Sequence, residues 1–232
     1  MAERDENRRA LALLERLDAT LLRDARCWFA GGTAVSLRCG EFRVSRDVDF
    51  LCASMEGYRT LRERARERGG LGLFARDVAI AREPRVDRYG IRMAVEVDGE
   101  LLKFEIVSEG RVGLRGEDDP TLPVARLTDV DLVVEKLLAN DDRYLDDSAL
   151  GRDAIDLVML EHALGALPAE AWEKAKAAYG PSVERAWPEA LRRLRDRPAL
   201  MDRAFDEMRV SPEARALVSA KLASIETTND ER

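Results

Sequence analysis

Hydrophobic residues along this chain shift their spacing from helical to alternating and back again. From about residue 5 to 25, Leu11, Leu14, Leu17, Leu21 and Leu22 recur at helical spacing and predict one amphipathic helix. Cys27 to Ala30 reads as a short strand entering a glycine turn at Gly31-Gly32, Ala34 to Arg38 as a short helix, Ser45 to Leu51 as a strand, and residues 56 to 68 as a long helix. From Asp77 the period becomes two: Val78 and Ile80, then Ile91, Met93, Val95 and Val97, then Leu102, Phe104 and Ile106. Asp98-Gly99, between the last two runs, is the strongest hairpin signal in the chain. After Pro120 and Pro123 the alternation stops and helices take over. Thr128 is placed to cap a helix reaching about Asn140, and a following helix carries Asp153 and Asp156. Beyond Leu164 about four helices are expected, broken by Pro168, Gly180-Pro181, Pro188, Pro198 and Pro212, with Trp172 and Trp187 in their core and Thr227 to Arg232 fraying. The expected fold class is α+β: a mixed β-sheet flanked by helices, then an all-helical C-terminal region, with the domains divided as 1–123 and 124–232.

Chemistry enters at the strand after the short helix. Alternation sends Asp47 and Asp49 to one face of it, while Val48 and Phe50 point into the core. Two carboxylates held that close repel, so the pair is most stable around a hard cation. Mg²⁺, which keeps part of its water shell and takes one or two protein carboxylates plus phosphate oxygens, is the natural candidate. Upstream, Gly31 and Gly32 let the backbone approach a ligand closely and Thr33 suits a first helical turn. A helix start of this kind favours phosphate, because its backbone N–H groups and the positive end of the dipole act together. On the run Leu101 to Val107, Lys103 and Glu105 share the face opposite Leu102, Phe104 and Ile106. Beside the Asp47/Asp49 strand that face would bring a third carboxylate to the pair; Glu96, on the neighbouring strand, is the substitute. The plainer alternative is an exposed Lys/Glu pair on a half-buried sheet.

These residues resemble the DNA polymerase β-type nucleotidyltransferase superfamily, and more narrowly the AbiEii and MenT-like toxin nucleotidyltransferases. The likeness rests on Gly31-Gly32-Thr33, on Arg43-x-Ser45-x-Asp47-x-Asp49-Phe50, on Lys103-Phe104-Glu105, on Glu135-Lys136-Leu137 and on Arg152-Asp153-x-x-Asp156. It spans roughly residues 28 to 160. It implies an enzyme in which Asp47, Asp49 and Glu105 hold metal, with Glu105 also helping to activate the acceptor hydroxyl. Gly31, Gly32, Thr33, Arg43, Ser45, Lys136, Arg152, Asp153 and Asp156 would contact the nucleoside triphosphate, and Lys136 would act in catalysis. Nucleotide contacts would then come from residues 128–157, and an acceptor or partner surface from 165–232. Mg²⁺ or Mn²⁺ would be the cofactor and a nucleoside triphosphate the substrate. A tRNA 3′ end would be the acceptor and an antitoxin protein the partner. Glu105 is a departure, because many superfamily members carry Asp there. The trio Arg152, Asp153 and Asp156 reads equally as an ion pair orienting Lys136, with Arg152 reaching Asp156 one turn on, or as a binding site. Transfer to a small molecule or protein side chain, and a non-catalytic nucleotide-binding module, remain the alternatives.

Composition narrows the picture. Charged residues are 36% of 232, and no apolar run approaches the roughly 18 residues of a membrane span, so a soluble, cytoplasmic protein without membrane partners is expected. A single histidine, His162, excludes histidine-based zinc chemistry and a Ser-His-Asp triad, and is expected to pack or cap a helix end. Cys27, Cys39 and Cys52 lack a zinc spacing and read as buried thiols. A net charge of −7 argues against a general nucleic-acid binder. Arg185, Arg192, Arg193, Arg195, Arg197 and Arg203 are either a local RNA-facing surface or, interleaved with Glu184, Glu189, Asp196 and Asp202, a solvated mixed-charge face.

Overall fold

The computed structural model describes residues 4–225, so the expected fraying of Thr227 to Arg232 lies outside the described residues. Two compact units are formed, one from residues 1–41 and 45–131, the other from 42–44 and 132–232.

The first unit opens with α1 (Asp5–Leu14) and α2 (Ala19–Asp24) rather than one helix over 5 to 25. The break has a local cause. Leu17 leaves the helix to bridge Phe74, and the Asp18 carboxylate accepts from the Leu21 N–H at 3.0 Å, restarting the helix one turn later. β1 (Cys27–Ala30) runs directly into α3 (Gly31–Arg38), and β2 (Asp47–Cys52) into α4 (Met55–Arg66). A 3₁₀ segment, Glu67–Leu73, follows; Arg68, Gly69 and Gly70 there take positive φ, which ends the regular helix short of residue 68. β3 (Ala79–Val86), β4 (Gly90–Val97) and β5 (Glu100–Ser108) are the expected alternating strands. β6 (Gly116–Glu117) and β7 (Arg126–Leu127) are two residues each, too short to show a period in sequence.

All seven strands form one mixed sheet in the order β3-β4-β5-β2-β1-β7-β6. The β4–β5 hairpin closes at Asp98 and Gly99, with φ of 52° and 78°, the left-handed pair that a two-residue turn between twisted strands requires. β2 lies antiparallel to β1 and parallel to β5. Phe29, Phe50 and Phe104, all fully buried, and the half-buried Phe74 form a tilted row with successive ring centroids 5.6, 5.8 and 5.9 Å apart. Each such ring taken from water is worth about 1.5–3 kcal/mol. The row fixes which way β2 and β5 face, because one-residue slippage would put phenylalanine in water and aspartate in the core.

α5 (Asp129–Arg143) begins in the first unit, where the Thr128 hydroxyl accepts from the Asp131 N–H at 3.2 Å, and continues as the first helix of the second. The second unit adds a 3₁₀ turn (Asp147–Ala149), α6 (Arg152–Leu164), α7 (Ala169–Tyr179), α8 (Ser182–Asp196), α9 (Pro198–Glu207) and α10 (Pro212–Ser224). α6 is its core, buried from Asp153 through Leu160. Gly151, at φ +63°, opens α6 against Leu194, whose side chain leaves no room for a Cβ. Two expectations fail here. α8 runs through Pro188 without ending. Trp172 and Trp187 are half-buried rather than core: Ala171, Ala175, Ala186 and Ala190 take the inward positions of α7 and α8, and the indoles line an open groove of about 520 Å³ with Lys176 and Glu184. The arginines around α8 are largely committed to acids, Arg193 and Arg197 to Asp147, Arg195 to Asp196 and Arg203 to Glu207, which is the solvated mixed-charge arrangement. Among the described residues no helix is long and apolar enough to cross a membrane.

Candidate active site

β2 alternates between half-buried and buried from Asp47 to Cys52, so Asp47 and Asp49 stand on the open face of the sheet above a core of Val48 and Phe50. The parallel register with β5 sets Asp47 opposite Lys103 and Asp49 opposite Glu105, and the hairpin sets Arg92 opposite Glu105. The β5 face is as expected, with Phe104 and Ile106 buried and Lys103 exposed. Glu96, four residues from Arg92 on β4, pairs with Leu101 near the hairpin turn and is no neighbour of the acids.

Glu105 reaches this face already engaged. Arg92 Nε donates to its Oε1 at 2.6 Å and Lys103 Nζ lies 2.8 Å from its Oε2, with the carboxylate side chain only 14% exposed. Arg92 is itself steadied by Asp87 at 3.3 Å, whose carboxylate also accepts from the Tyr89 and Gly90 N–H groups. Burial alone would lower the Lys103 pKa; Glu105, then Asp47 and Asp49, outweigh it and hold the ammonium charged. Among the described residues no three His, Cys, Asp or Glu side chains are gathered as a metal site. Asp47 and Asp49 nevertheless supply the hard oxygen donors that Mg²⁺ takes from protein when phosphate completes its shell, so the donor set fits such a cation.

The start of α3 adjoins the pair. Gly31 has φ +73°, and a Cβ there would fall 2.5 Å from Asp49 Oδ2, so glycine is required twice, for its backbone and for the space that the carboxylate occupies. Ala30 at the N-cap offers no side-chain oxygen to the first turn. Gly31 and Gly32 are partly exposed, whereas Thr33 is fully buried and its hydroxyl donates to the Asp47 carbonyl, tying α3 to the strand that carries both acids. Ser45 is half-buried just ahead of β2.

The remaining motif residues assemble in the second unit as a buried ion network. Arg43 forms a two-bond fork to Asp156, Nε to Oδ1 at 2.6 Å and Nη2 to Oδ2 at 2.8 Å. Lys136 Nζ lies 2.6 Å from Asp156 and 3.2 Å from Asp153, and Arg143 Nε donates to Asp153 at 2.6 Å. Burial would raise both carboxyl pKa values, but Arg43 and Lys136 on Asp156, and Lys136 and Arg143 on Asp153, hold both below the usual carboxylate range. Lys136, fully desolvated, is kept charged by Asp156 and Asp153. Of the helically spaced polar residues Lys136, Asn140 and Arg143, Lys136 and Arg143 thus meet α6 carboxylates, whereas the buried Asn140 Nδ2 has no hydrogen-bond partner among the described residues. Arg152 does not reach Asp156 as expected: it is exposed, its Nε donates to the Ala149 carbonyl, and Asp156 is taken by Arg43 and Lys136. His162 is exposed in the last turn of α6, so it does not pack. Cys27 and Cys52 are buried free thiols, and Cys39 is partly exposed.

Sequence reasoning passed over Arg92. Its signal was present, since a turn at 98 and 99 pairs 97 with 100 and, counted back, 92 with 105.

A mixed sheet carrying paired aspartates beside a glycine-opened helix is the architecture of a nucleotidyltransferase. A family model for the nucleotidyl transferase AbiEii toxin of type IV toxin–antitoxin systems matches residues 12–228. The chain belongs to that family. Among solved structures it is similar to an antigenic nucleotidyltransferase-like protein from Paracoccidioides brasiliensis, at 14% identity and TM-score 0.50 over 85% of this chain and 93% of that one. It is also similar to MenT4, a nucleotidyltransferase toxin from Mycobacterium tuberculosis, at 21% identity and TM-score 0.40 over 83% of this chain and 68% of that one. No curated protein matches it.

Proposed function

We propose that this nucleotidyltransferase is a toxin that uses Mg²⁺ (or Mn²⁺) to move a nucleoside monophosphate from a triphosphate to a hydroxyl at the 3′ end of tRNA, and that an antitoxin protein restrains it. The observation that carries the chemistry is the carboxylate pair: Asp47 and Asp49 share the open face of β2, with Asp49 against the glycine start of α3. The pair holds the cation, which when bound neutralises triphosphate charge and polarises the phosphorus under attack. Backbone N–H groups of Gly31, Gly32 and Thr33 face the β- and γ-phosphates, where the helix dipole favours negative charge. Thr33 also holds Asp47 in place through the strand carbonyl. Ser45, half-buried just ahead of β2, is assigned to the triphosphate by the family resemblance. In the second unit Arg43, Asp153 and Asp156 fix the Lys136 ammonium, a point charge suited to the phosphate contact that the family resemblance implies. The acceptor hydroxyl attacks the α-phosphate in line and gives its proton to water, while the bond from the α-phosphorus to the bridging oxygen breaks and pyrophosphate leaves.

The test is incubation of wild-type and Asp47→Ala/Asp49→Ala protein with each α-³²P-labelled triphosphate, Mg²⁺ and total tRNA, resolved on a denaturing gel. Label on RNA with wild type alone supports the reading and names the nucleotide. Label on protein or small molecules in its place refutes the tRNA acceptor, and equal labelling by the double variant refutes the site.

A further inference from the structure

We propose that the carboxylate face takes a single divalent cation, with the Lys103 ammonium and the Arg92 guanidinium supplying to Glu105 the positive charge that a second cation would otherwise bring. This rests on the reading of Asp47 and Asp49 as the metal-holding pair. Two-ion phosphoryl chemistry uses a third carboxylate to help fix the second metal, and here the residue at that place in the register is Glu105. Both of its oxygens already have cationic partners from the protein, one at 2.6 Å on β4 and one at 2.8 Å on β5 itself.

Three features make that engagement a built one. Arg92 and Glu105 face each other directly across the hairpin, so the strand register delivers the contact. Arg92 is anchored on its other side by Asp87, which two backbone N–H groups hold in turn. Glu105 is mostly buried, so releasing both partners would leave a desolvated carboxylate, which is costly. Electrostatics point the same way. Asp47, Asp49, Glu105 and the Asp87 that anchors Arg92 carry four formal negative charges against the two positive charges of Lys103 and Arg92, so one divalent ion neutralises the face and a second would be bound against Lys103 and Arg92. The presence of Glu at this position also acquires a reason: its longer side chain reaches Arg92 Nε and Lys103 Nζ together.

The experiment counts Mn²⁺ bound per chain, by electron paramagnetic resonance and equilibrium dialysis, in the presence of α,β-methylene analogues of the four nucleoside triphosphates. Wild type should bind one Mn²⁺ with the analogue it accepts, and Glu105→Gln should still bind one. Lys103→Met should rise to two, since Glu105 then has a free oxygen. Circular dichroism verifies that each variant is folded. A count of two in wild type, falling to one in Glu105→Gln, would show that Glu105 serves a second ion and overturn the proposal while leaving the Asp47/Asp49 site intact. A count that stays at one in folded Lys103→Met removes Lys103 from its assigned place. No Mn²⁺ with any analogue in wild type overturns the underlying site.

Discussion

The two charged clusters of this molecule use the same side chains to opposite ends. On the sheet face of the first unit, Asp47 and Asp49 are half-buried beside an exposed Lys103, over a core that ends one residue beneath them. In the second unit Asp156 is fully buried and Asp153 nearly so, and Arg43 and Lys136 sit with them out of water. An acid in water keeps its hydration and can exchange it for a cation or phosphate-bound metal. An acid in the interior has given up hydration and depends on fixed partners, so it holds one geometry. The contrast marks which group is placed to exchange ligands and which is placed to orient.

Replacing one member of the buried network should have the largest effect. Asp156→Ala removes the shared counter-charge of Arg43 and Lys136 inside the unit and should cost about 3–5 kcal/mol, read as a lower urea midpoint. An unchanged midpoint would show that the buried ion network does not hold the helical unit together. The mirror experiment on the sheet face, Asp47→Asn with Asp49→Asn, should lower nucleotidyl transfer by at least roughly 10²–10³-fold with a much smaller change in urea midpoint than Asp156→Ala, because these half-buried acids keep their hydration. A drop in midpoint comparable to Asp156→Ala would erase the distinction between the clusters. Next in size is Gly31→Ala, which forces a side chain into positive φ and onto the Asp49 carboxylate; a cost of about 1–3 kcal/mol is expected, with transfer weakened alongside.

Acid titration sharpens the comparison further. Asp153 and Asp156 have folded-state pKa values below the unfolded carboxylate value of about 3.9, so their contribution is complete above that pH and is lost as pH falls through the folded values. Lys136 is raised, so its contribution is complete below the unfolded lysine pKa of about 10.4 and is lost only at higher pH. Stability from this network should therefore be level through neutrality and fall below about pH 4. Denaturation midpoints across pH should show that acid limb flattened in Asp156→Asn. The smallest effect is expected from Arg197→Ala, whose partner Asp147 is solvent-exposed; its midpoint should match wild type.

How much of this could be read from sequence follows the range of each interaction. Alternation in Asp47 to Phe50 and the Asp98-Gly99 turn are local, and they placed the acids on one face and joined β4 to β5 correctly. The α1–α2 break was hidden because Leu17 satisfies helical spacing yet is used in a bridge to Phe74, far along the chain. The two tryptophans misled for a related reason: large apolar residues suggest a core, but close helix approach was met by alanines. Arg152 lay one turn from Asp156, which made an ion pair plausible, until Arg43, distant in sequence, supplied the better fork.

The segment Phe42–Val44 gives the chain an unusual itinerary. It belongs to the second unit while both flanking stretches belong to the first. Val44 N–H donates to the Met208 carbonyl and Ser211 N–H to the Phe42 carbonyl, each at 2.8 Å, and Arg43 waits for an aspartate 113 residues downstream. At ribosomal speeds of about 5–20 residues per second, about 6–23 s separate the synthesis of that arginine from that of its partner. The helical unit therefore cannot be cut out as one contiguous fragment, and a nascent chain must carry an unfinished cationic tripeptide until Ser211 has been made.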